Sequence, residues 1–313
     1  MDKILNGKRI PNCMIGTWAW GTGANGAKIV FGKVSTQEQL QQVFTNAYES
    51  GFVFWDTAEV YGMGNSERIL GGFISEKEDV LISTKHFPNK KYRQDENRNA
   101  IKGSLERLNI DVIDLYWLHK PLNLEQNMKE LAECQKDGLI RSIGLSNGSV
   151  EQIKEADRIL RQNGSRLVAV QNHYSLLSME READMLDYCL GNDILFFGYM
   201  ILEQGALSGH YDEKNCFPLF SMRRLMFGKV KFKKIRELLS YIKKLGDQYG
   251  IDSSQIPIAW AIAKGVIPIV GLTKPSHAVS LRDGTRVTLT PEEIKTLEDL
   301  ALDSGVKCKG AWE

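Results

Sequence analysis

The chain has 313 residues, 42% hydrophobic and 25% charged, an ordinary globular balance and enough length to bury a substantial core. A formal net charge of +1 supplies no field to gather nucleic acid or an anionic membrane, so a partner must be recognised locally. The five cysteines (Cys13, Cys134, Cys189, Cys216 and Cys308) are scattered, without ligand or redox spacing, and read as reduced thiols of a cytoplasmic protein. No apolar run approaches membrane-spanning length, and 194–202, among the longest, is strand-sized.

The first residues lack an apolar signal core and read as a hairpin turning at Asn6-Gly7, placed to cap one end of the fold. Apolar strand-like runs then alternate with amphipathic helical runs. The strands are expected at Met14–Trp18, Val53–Asp56, Val80–Lys85, Ile113–His119, Ser142–Ser146, Val168–Asn172, Leu195–Tyr199 and Ile267–Gly271. Helices are expected at Thr36–Ser50, Ser66–Glu76, Asn97–Leu108, Leu124–Asp137, Val150–Asn163, Glu180–Gly191, Val230–Tyr249 and Ser253–Lys264. Strict alternation with short joints implies parallel strands and right-handed crossovers, and eight units at this length imply a closed (β/α)₈ barrel. The expectation is therefore α/β, a single TIM-barrel domain over 1–313 with an N-terminal hairpin cap and an extra C-terminal helix. That last helix starts at Thr290-Pro291-Glu292-Glu293, with Thr290 as N-cap and Glu293 closing a capping box. The long connection 204–228 and the tail ending in Trp312 exceed the minimal barrel.

Gly21-Thr22-Gly23-Ala24-Asn25-Gly26 is a literal GxGxxG after a strand, with Asp56 ending the next one. Its third glycine should open a helix, but 27–34 has no helical face. The glycines are better explained as a first βα loop than as a Rossmann fingerprint.

In a barrel, residues at the carboxyl ends of different strands converge on one mouth. Strand two ends with Asp56 and then Tyr61, strand three with Lys85, strand four with His119. Singly, each has an ordinary explanation: a turn cap, a snorkelling amine, a core histidine. Together they put an acid, a phenol, an amine and an imidazole at one depth on three adjacent strands.

The segments carrying these residues are WDTAEVYG, ISTK and GSLERLNIDVIDLYWLH, followed by IRSIGLSN and AVQNHYSLL, and more weakly by GYMILEQGALSG and PIVGLTKPSHA. Over nearly its whole length the chain resembles the aldo-keto reductase family. The resemblance implies an NADP(H)-dependent oxidoreductase on a (β/α)₈ barrel, reducing a small-molecule carbonyl, with Asp56, Tyr61, Lys85 and His119 catalytic. It implies that Ser146, Asn147 and Gln171 hold the nicotinamide carboxamide and that Tyr199 stacks on its ring. Further coenzyme contacts are implied from Gly16, Thr17, Trp18, Asp56, Leu202, Gln204, Leu207, Gly271, Leu272, Thr273, Lys274 and His277. Trp20, Tyr61, Phe87 and His119 would meet the substrate, with Trp55 and Trp312 as further candidates for an apolar wall.

Elementary chemistry leads to the same roles. Reducing a carbonyl by hydride leaves charge on oxygen, which calls for a proton donor aimed at that oxygen. A tyrosine titrates near 10. An adjacent ammonium favours the phenolate, so Lys85 is expected to acidify Tyr61, with Asp56 holding Lys85 charged. His119 would then hydrogen-bond the carbonyl oxygen and orient the substrate.

The match departs from the family at three places. Ser280 and Leu281 stand where an acid and an asparagine usually meet the adenine; Thr273 and Lys274 nevertheless suit a 2′-phosphate, so NADP(H) is expected, with NAD(H) left open. Met200-Ile201 replaces the usual Ser-Pro-like pair, and Lys120 replaces an aromatic, making the rim more basic. Substrate choice would be set by 204–228 and the tail, and no feature fixes an oligomeric state. Two other functions use the same residues: a coenzyme-binding regulatory or sensor subunit, and a Schiff-base lyase on Lys85. A metal hydrolase is disfavoured, because strand one offers Thr17 and Trp18 rather than His-x-His, and His86, His119 and His173 lack matching carboxylates.

Overall fold

The computed structural model describes residues 3–23, 34–219 and 221–309. Ile4–Leu5 (β1) and Lys8–Arg9 (β2) pair antiparallel around Asn6 and Gly7, both at positive φ (52° and 74°). Eight parallel strands follow: Met14–Gly16 (β3), Phe54–Asp56 (β4), Leu81–His86 (β5), Leu115–Leu118 (β6), Ile143–Ser146 (β7), Leu167–His173 (β8), Leu195–Tyr199 (β9) and Ile267–Gly271 (β10). They close in the order β10-β3-β4-β5-β6-β7-β8-β9, each next to its neighbour in sequence, as the alternation requires. The hairpin seals the amino end of the barrel. Lys3 Nζ donates to Val266 O (3.1 Å), Asn6 Nδ2 to Asp114 O (3.0 Å), and Ser142 Oγ to Asn6 Oδ1 (2.6 Å).

Helices cover the outside, and their ends follow from side-chain chemistry. Thr36, Ser149 and Thr290 each form a capping box, with Gln39, Gln152 and Glu293 respectively, and so open the helices Gln37–Glu49, Val150–Gln162 and Pro291–Asp303. One expectation needs correction, and one helix was not expected. The helix expected over 230–249 is two, Lys229–Lys234 and Arg236–Tyr249, broken at Ile235. Ser276–Gly284 is a helix that the sequence pattern does not announce.

Side-chain alternation along the strands sorts the chain into two cores. Leu5, Ile10, Met14, Phe54, Leu81, Leu115, Trp117, Ala169, Phe197 and Ile267 fill the barrel, while Trp55, Tyr116, Leu145 and Phe196 face the helices. The next inward position above Phe54, Trp117, Ala169 and Phe197 is Asp56, His119, Gln171 and Tyr199. On β5 the inward series is Leu81, Ser83 and Lys85. A packed apolar plug thus sets the depth of every polar side chain at the carboxyl mouth.

Trp117 demands space in that plug, and Gly144 on the adjacent strand provides it. A Cβ on residue 144 would lie 2.2 Å from Trp117 Cε3, inside any real contact distance. Gly144→Ala is expected to lower stability by about 1–3 kcal/mol through overpacking, seen as a reduced urea midpoint at unchanged denaturant slope.

Candidate active site

The centre of the mouth is a buried ion pair. Lys85 Nζ lies 2.5 Å from Asp56 Oδ2 and donates to Thr57 O at 2.8 Å, with Lys85 1% and Asp56 3% exposed. The other carboxylate oxygen accepts from Ser83 Oγ (2.6 Å) and Gln171 Nε2 (3.2 Å). Both charges are thereby compensated in a place where an isolated charge would not persist. The ammonium also sits 5.0 Å from the centre of the Tyr61 ring. This commits the amine's hydrogens to Asp56 and Thr57, an arrangement that opposes its use as a Schiff-base nucleophile.

Tyr61 is carried on the turn after β4. Its backbone N–H donates to Ala58 O, and Gly62 follows at φ 56°, where a Cβ would lie 2.4 Å from Thr22 O. Glycine at 62 therefore lets the first βα loop close on the tyrosine turn. Trp18, from that loop, stacks on Tyr61 with ring centres 5.9 Å apart. His119 lies one residue beyond β6. Its N–H donates to His86 O (3.0 Å), its carbonyl accepts from Asn147 Nδ2 (3.0 Å), and Phe87 meets its ring edge-on at 5.4 Å. The four predicted groups are brought together.

The electrostatics differ from expectation in one respect. Tyr61 is held well above the ordinary phenol value, first by burial and then by the charges of Asp56 and Tyr199. The expected acidification by Lys85 does not prevail, because burial dominates and the Asp56 charge adds to it, so Tyr61 is a protonated phenol. Burial likewise lowers Lys85, against the opposing pull of Asp56. His119 is pushed well below its usual range by burial and then by Lys85, Lys120 and His86, which leaves a neutral imidazole at neutral pH.

Beside these groups lies a second cluster. Ser146 Oγ donates to Gln171 O (2.8 Å), Asn147 Nδ2 to Ser146 Oγ (3.0 Å), and Tyr199 Oη to Asn147 Oδ1 (2.6 Å). Asn147 adopts φ 58°, which turns its amide onto the mouth. The half-buried Tyr199 ring rests on His173, with centres 5.8 Å apart and planes inclined by 25°. An aromatic ring backed by imidazole and flanked by amide and hydroxyl groups suits a flat heteroaromatic amide. Gly271, the last residue of β10, and Thr273 and Lys274 just past it are exposed, and half-buried His277 sits in the first turn of Ser276–Gly284.

Several expected contacts go elsewhere. Trp20 is 1% exposed, packs on Trp55 and Phe73, and donates its indole N–H to Leu272 O, so it is core and not substrate wall. Trp55, fully buried against Phe44, is core as well. The side chains of Leu207 and Leu272 are buried in the outer core, and the Thr17 hydroxyl is spent on Asp56 O (3.0 Å) and Ser66 (2.8 Å). Gly16 faces Ile269 across the barrel pairing, Leu202 is half-buried, and Gln204, at φ 54°, reaches Met226 Sδ. Trp312 and the second half of the GxGxxG run lie outside the described residues.

Two carboxylates escaped the reading of the sequence. Glu59 Oε1 contacts His86 Nδ1, and Glu203 Oε1 lies 2.7 Å from His173 Nε2 while accepting from Ser175 Oγ. These histidines thus do have matching acids, but as separate pairs. Among the described residues no three His, Cys, Asp or Glu side chains are grouped to hold a metal ion.

The neutral His119 has a measurable consequence. In the unfolded chain it gains a proton below about pH 6.5, whereas the buried imidazole resists protonation to far lower pH. The unfolded state then binds the extra proton, so acidification costs stability, by up to about 1.4 kcal/mol per pH unit from this group. His119→Gln is expected to remove that share of the slope. Urea midpoints for the two proteins, from about pH 7 to about pH 5, would check it.

Residues 13–302 match the aldo/keto reductase family. An aldo-keto reductase from Schizosaccharomyces pombe, yakc [NADP(+)], is 30% identical over 303 residues, covering 90% of this chain and 87% of that protein. A chloroplastic pyridoxal reductase from Arabidopsis thaliana is 31% identical over 310 residues, covering 92% and 82%. Among solved structures, a glycerol dehydrogenase from Gluconobacter oxydans superposes with a TM-score of 0.81 over 99% of this chain and 98% of its own, at 24% identity, a likeness of fold. The thermostable aldo-keto reductase Tm1743, solved with the inhibitor epalrestat, gives 0.75 at 28% identity over 96% and 99%. With its closed parallel barrel and its acid, phenol, amine and imidazole at one mouth, the chain belongs to the aldo/keto reductase family.

Proposed function

We propose that this protein reduces an aldehyde or ketone to an alcohol, with NADPH as coenzyme and Tyr61 as proton donor. The observation that carries the reading is the buried Lys85–Asp56 pair beneath Tyr61 and beside His119, four groups gathered at one barrel mouth. The NADP(+) in the yakc relative's name, and Lys274 and Thr273 exposed after β10 as partners for a 2′-phosphate, favour NADPH over NADH. Ser146, Asn147 and Gln171 are the residues to hold a nicotinamide carboxamide, and Tyr199 is the face to receive its ring.

Bound NADPH supplies the hydride, which no side chain can provide. The protein's own part is to orient the carbonyl, donate a proton and compensate charge. His119, neutral, donates a hydrogen bond to the carbonyl oxygen without contending with Lys85 for a positive charge. As negative charge grows on that oxygen, the Tyr61 hydroxyl passes it a proton. Burial keeps the Tyr61 phenol protonated, and the alkoxide that hydride transfer creates is a strong base that takes this proton. The proton is thus in place without an acidified tyrosine. Lys85 then faces the phenolate, and Asp56 keeps the ammonium aligned for that moment.

Tyr61→Phe is expected to cut NADPH-dependent carbonyl reduction by about a thousand-fold while coenzyme affinity, read by fluorescence titration, stays nearly unchanged. Steady turnover by the Phe variant would remove Tyr61 from the mechanism. A panel of aldehydes, ketones and keto-sugars with NADPH and NADH, compared by kcat/KM, tests the coenzyme assignment. Tight NADPH binding without turnover of any of them would point to a sensor subunit.

A further inference from the structure

A cavity of about 330 Å³ opens beside the candidate active site, between the connection that follows β9 and the C-terminal segment. Its lining begins at Met200, next to Tyr199, and includes none of Asp56, Tyr61, Lys85 or His119. Two aromatic walls, Phe217 and Phe227, are faced by four cations: Arg223, Lys231, Lys307 and Lys309. Glu203, the sole carboxylate among the described lining residues, bonds His173 and Ser175 on the side of Tyr199 and also Cys308. Among the described residues four cations thus line the cavity against one carboxylate.

Arg223 is the organising group. Its guanidinium carbon lies 4.8 Å from the centre of Phe217 and 5.9 Å from that of Tyr211, and Nη1 makes a long bond to Gln204 O (3.4 Å). Its Nε is buried and finds no acceptor among the described residues, and Gln204 Oε1 beside it is buried without a donor. A buried donor left unmatched on a charged group is costly and calls for an acceptor. Lys231 reaches Met226 O (2.8 Å) across the Phe227 face, and Lys307, bound to Glu180, sits with exposed Lys309 at the rim. A planar cation stacked on an aromatic wall, with an unfilled donor, suits a carboxylate or phosphate on an aromatic or apolar body. The volume falls at the small end of ligand sites.

We infer that this cavity is a binding site for an organic anion, with Arg223 as its principal ligand. The anion has two possible sources: the tail of the carbonyl substrate, or a separate molecule seated beside the active site.

Calorimetric titration of the full chain with benzoate and phenyl phosphate, with benzyl alcohol as neutral control, tests the site without any turnover. A failure of the reductase reading therefore leaves this test intact. Binding of at least one of the anions is expected, with about ten-fold weaker affinity in Arg223→Gln and a smaller loss in Lys309→Gln. Residue 309 is exposed, so the second variant checks the site without disturbing the fold. Absence of binding by both anions, affinity unchanged in both variants, or stoichiometric displacement of the anion by NADPH would overturn the inference, the last by assigning the cavity to the coenzyme. The ratio of kcat/KM for 4-carboxybenzaldehyde over benzaldehyde separates the sources. A ratio well above unity that collapses in Arg223→Gln identifies the substrate's own tail, and a ratio near unity alongside benzoate binding identifies a separate anion.

Discussion

The structure turns on one buried ion pair. Asp56 and Lys85 face each other at 2.5 Å with almost no exposure, at the level where the apolar barrel plug gives way to polar side chains. Removing either partner would leave a charge in a medium that solvates it poorly, at a cost of about 3–5 kcal/mol, while the intact pair contributes far less net stability. Such an arrangement is better understood as a positioning device than as glue. Ser83, Thr57 and Gln171 complete its hydrogen bonds, and each of these comes from a different part of the mouth. The pair thereby ties β4, β5 and β8 into one electrostatic unit, and Gln171 extends that unit to the cluster around Tyr199.

This coupling explains why the phenol is not acidic in the resting site. A lone ammonium near Tyr61 would stabilise the phenolate, but an ammonium locked to a carboxylate presents mostly a dipole, and burial then dominates. Catalytic proton donation does not require the donor to be half-ionised beforehand. It requires a loaded proton, a more basic acceptor and a charge ready to stabilise what remains. Neutral His119 belongs to the same economy of charge, since a second cation would disfavour Lys85 and compete for Asp56.

The fold was legible because a buried parallel strand reads as an uninterrupted apolar run and because the polar residue ending each run falls at one barrel rim. Asp56, Lys85 and His119 were visible for that reason, and the hairpin and the Thr290 capping box for local ones. What escaped depends on contacts distant in sequence. Trp20 reads equally well as pocket wall or core, and only the approach of Leu272 and Phe73 decides for core. Glu203 and His173 lie thirty residues apart on different strand ends, so neither signals the other. The break at Ile235 interrupts an amphipathic pattern that runs on across it, and the helix Ser276–Gly284 has no side-chain cap to announce it.

The segment after β9 brings these threads together. Met200, Glu203 and Gln204 all adopt positive φ, at 58°, 47° and 54°, a conformation that costs non-glycine residues about 1–2 kcal/mol each. Such a turn persists only where the surroundings insist on it. Here the Glu203 carboxylate, fixed by His173 and Ser175, is the anchor, and the imidazole that fixes it is the ring supporting Tyr199. One strained turn therefore does two things: it presses Tyr199 into place through His173, and it swings Gln204 outward to line the cationic cavity beside Arg223. The departure from the usual Ser-Pro-like pair at Met200-Ile201 is then more than a lost contact, because it accompanies a local geometry that opens a second chamber next to the first.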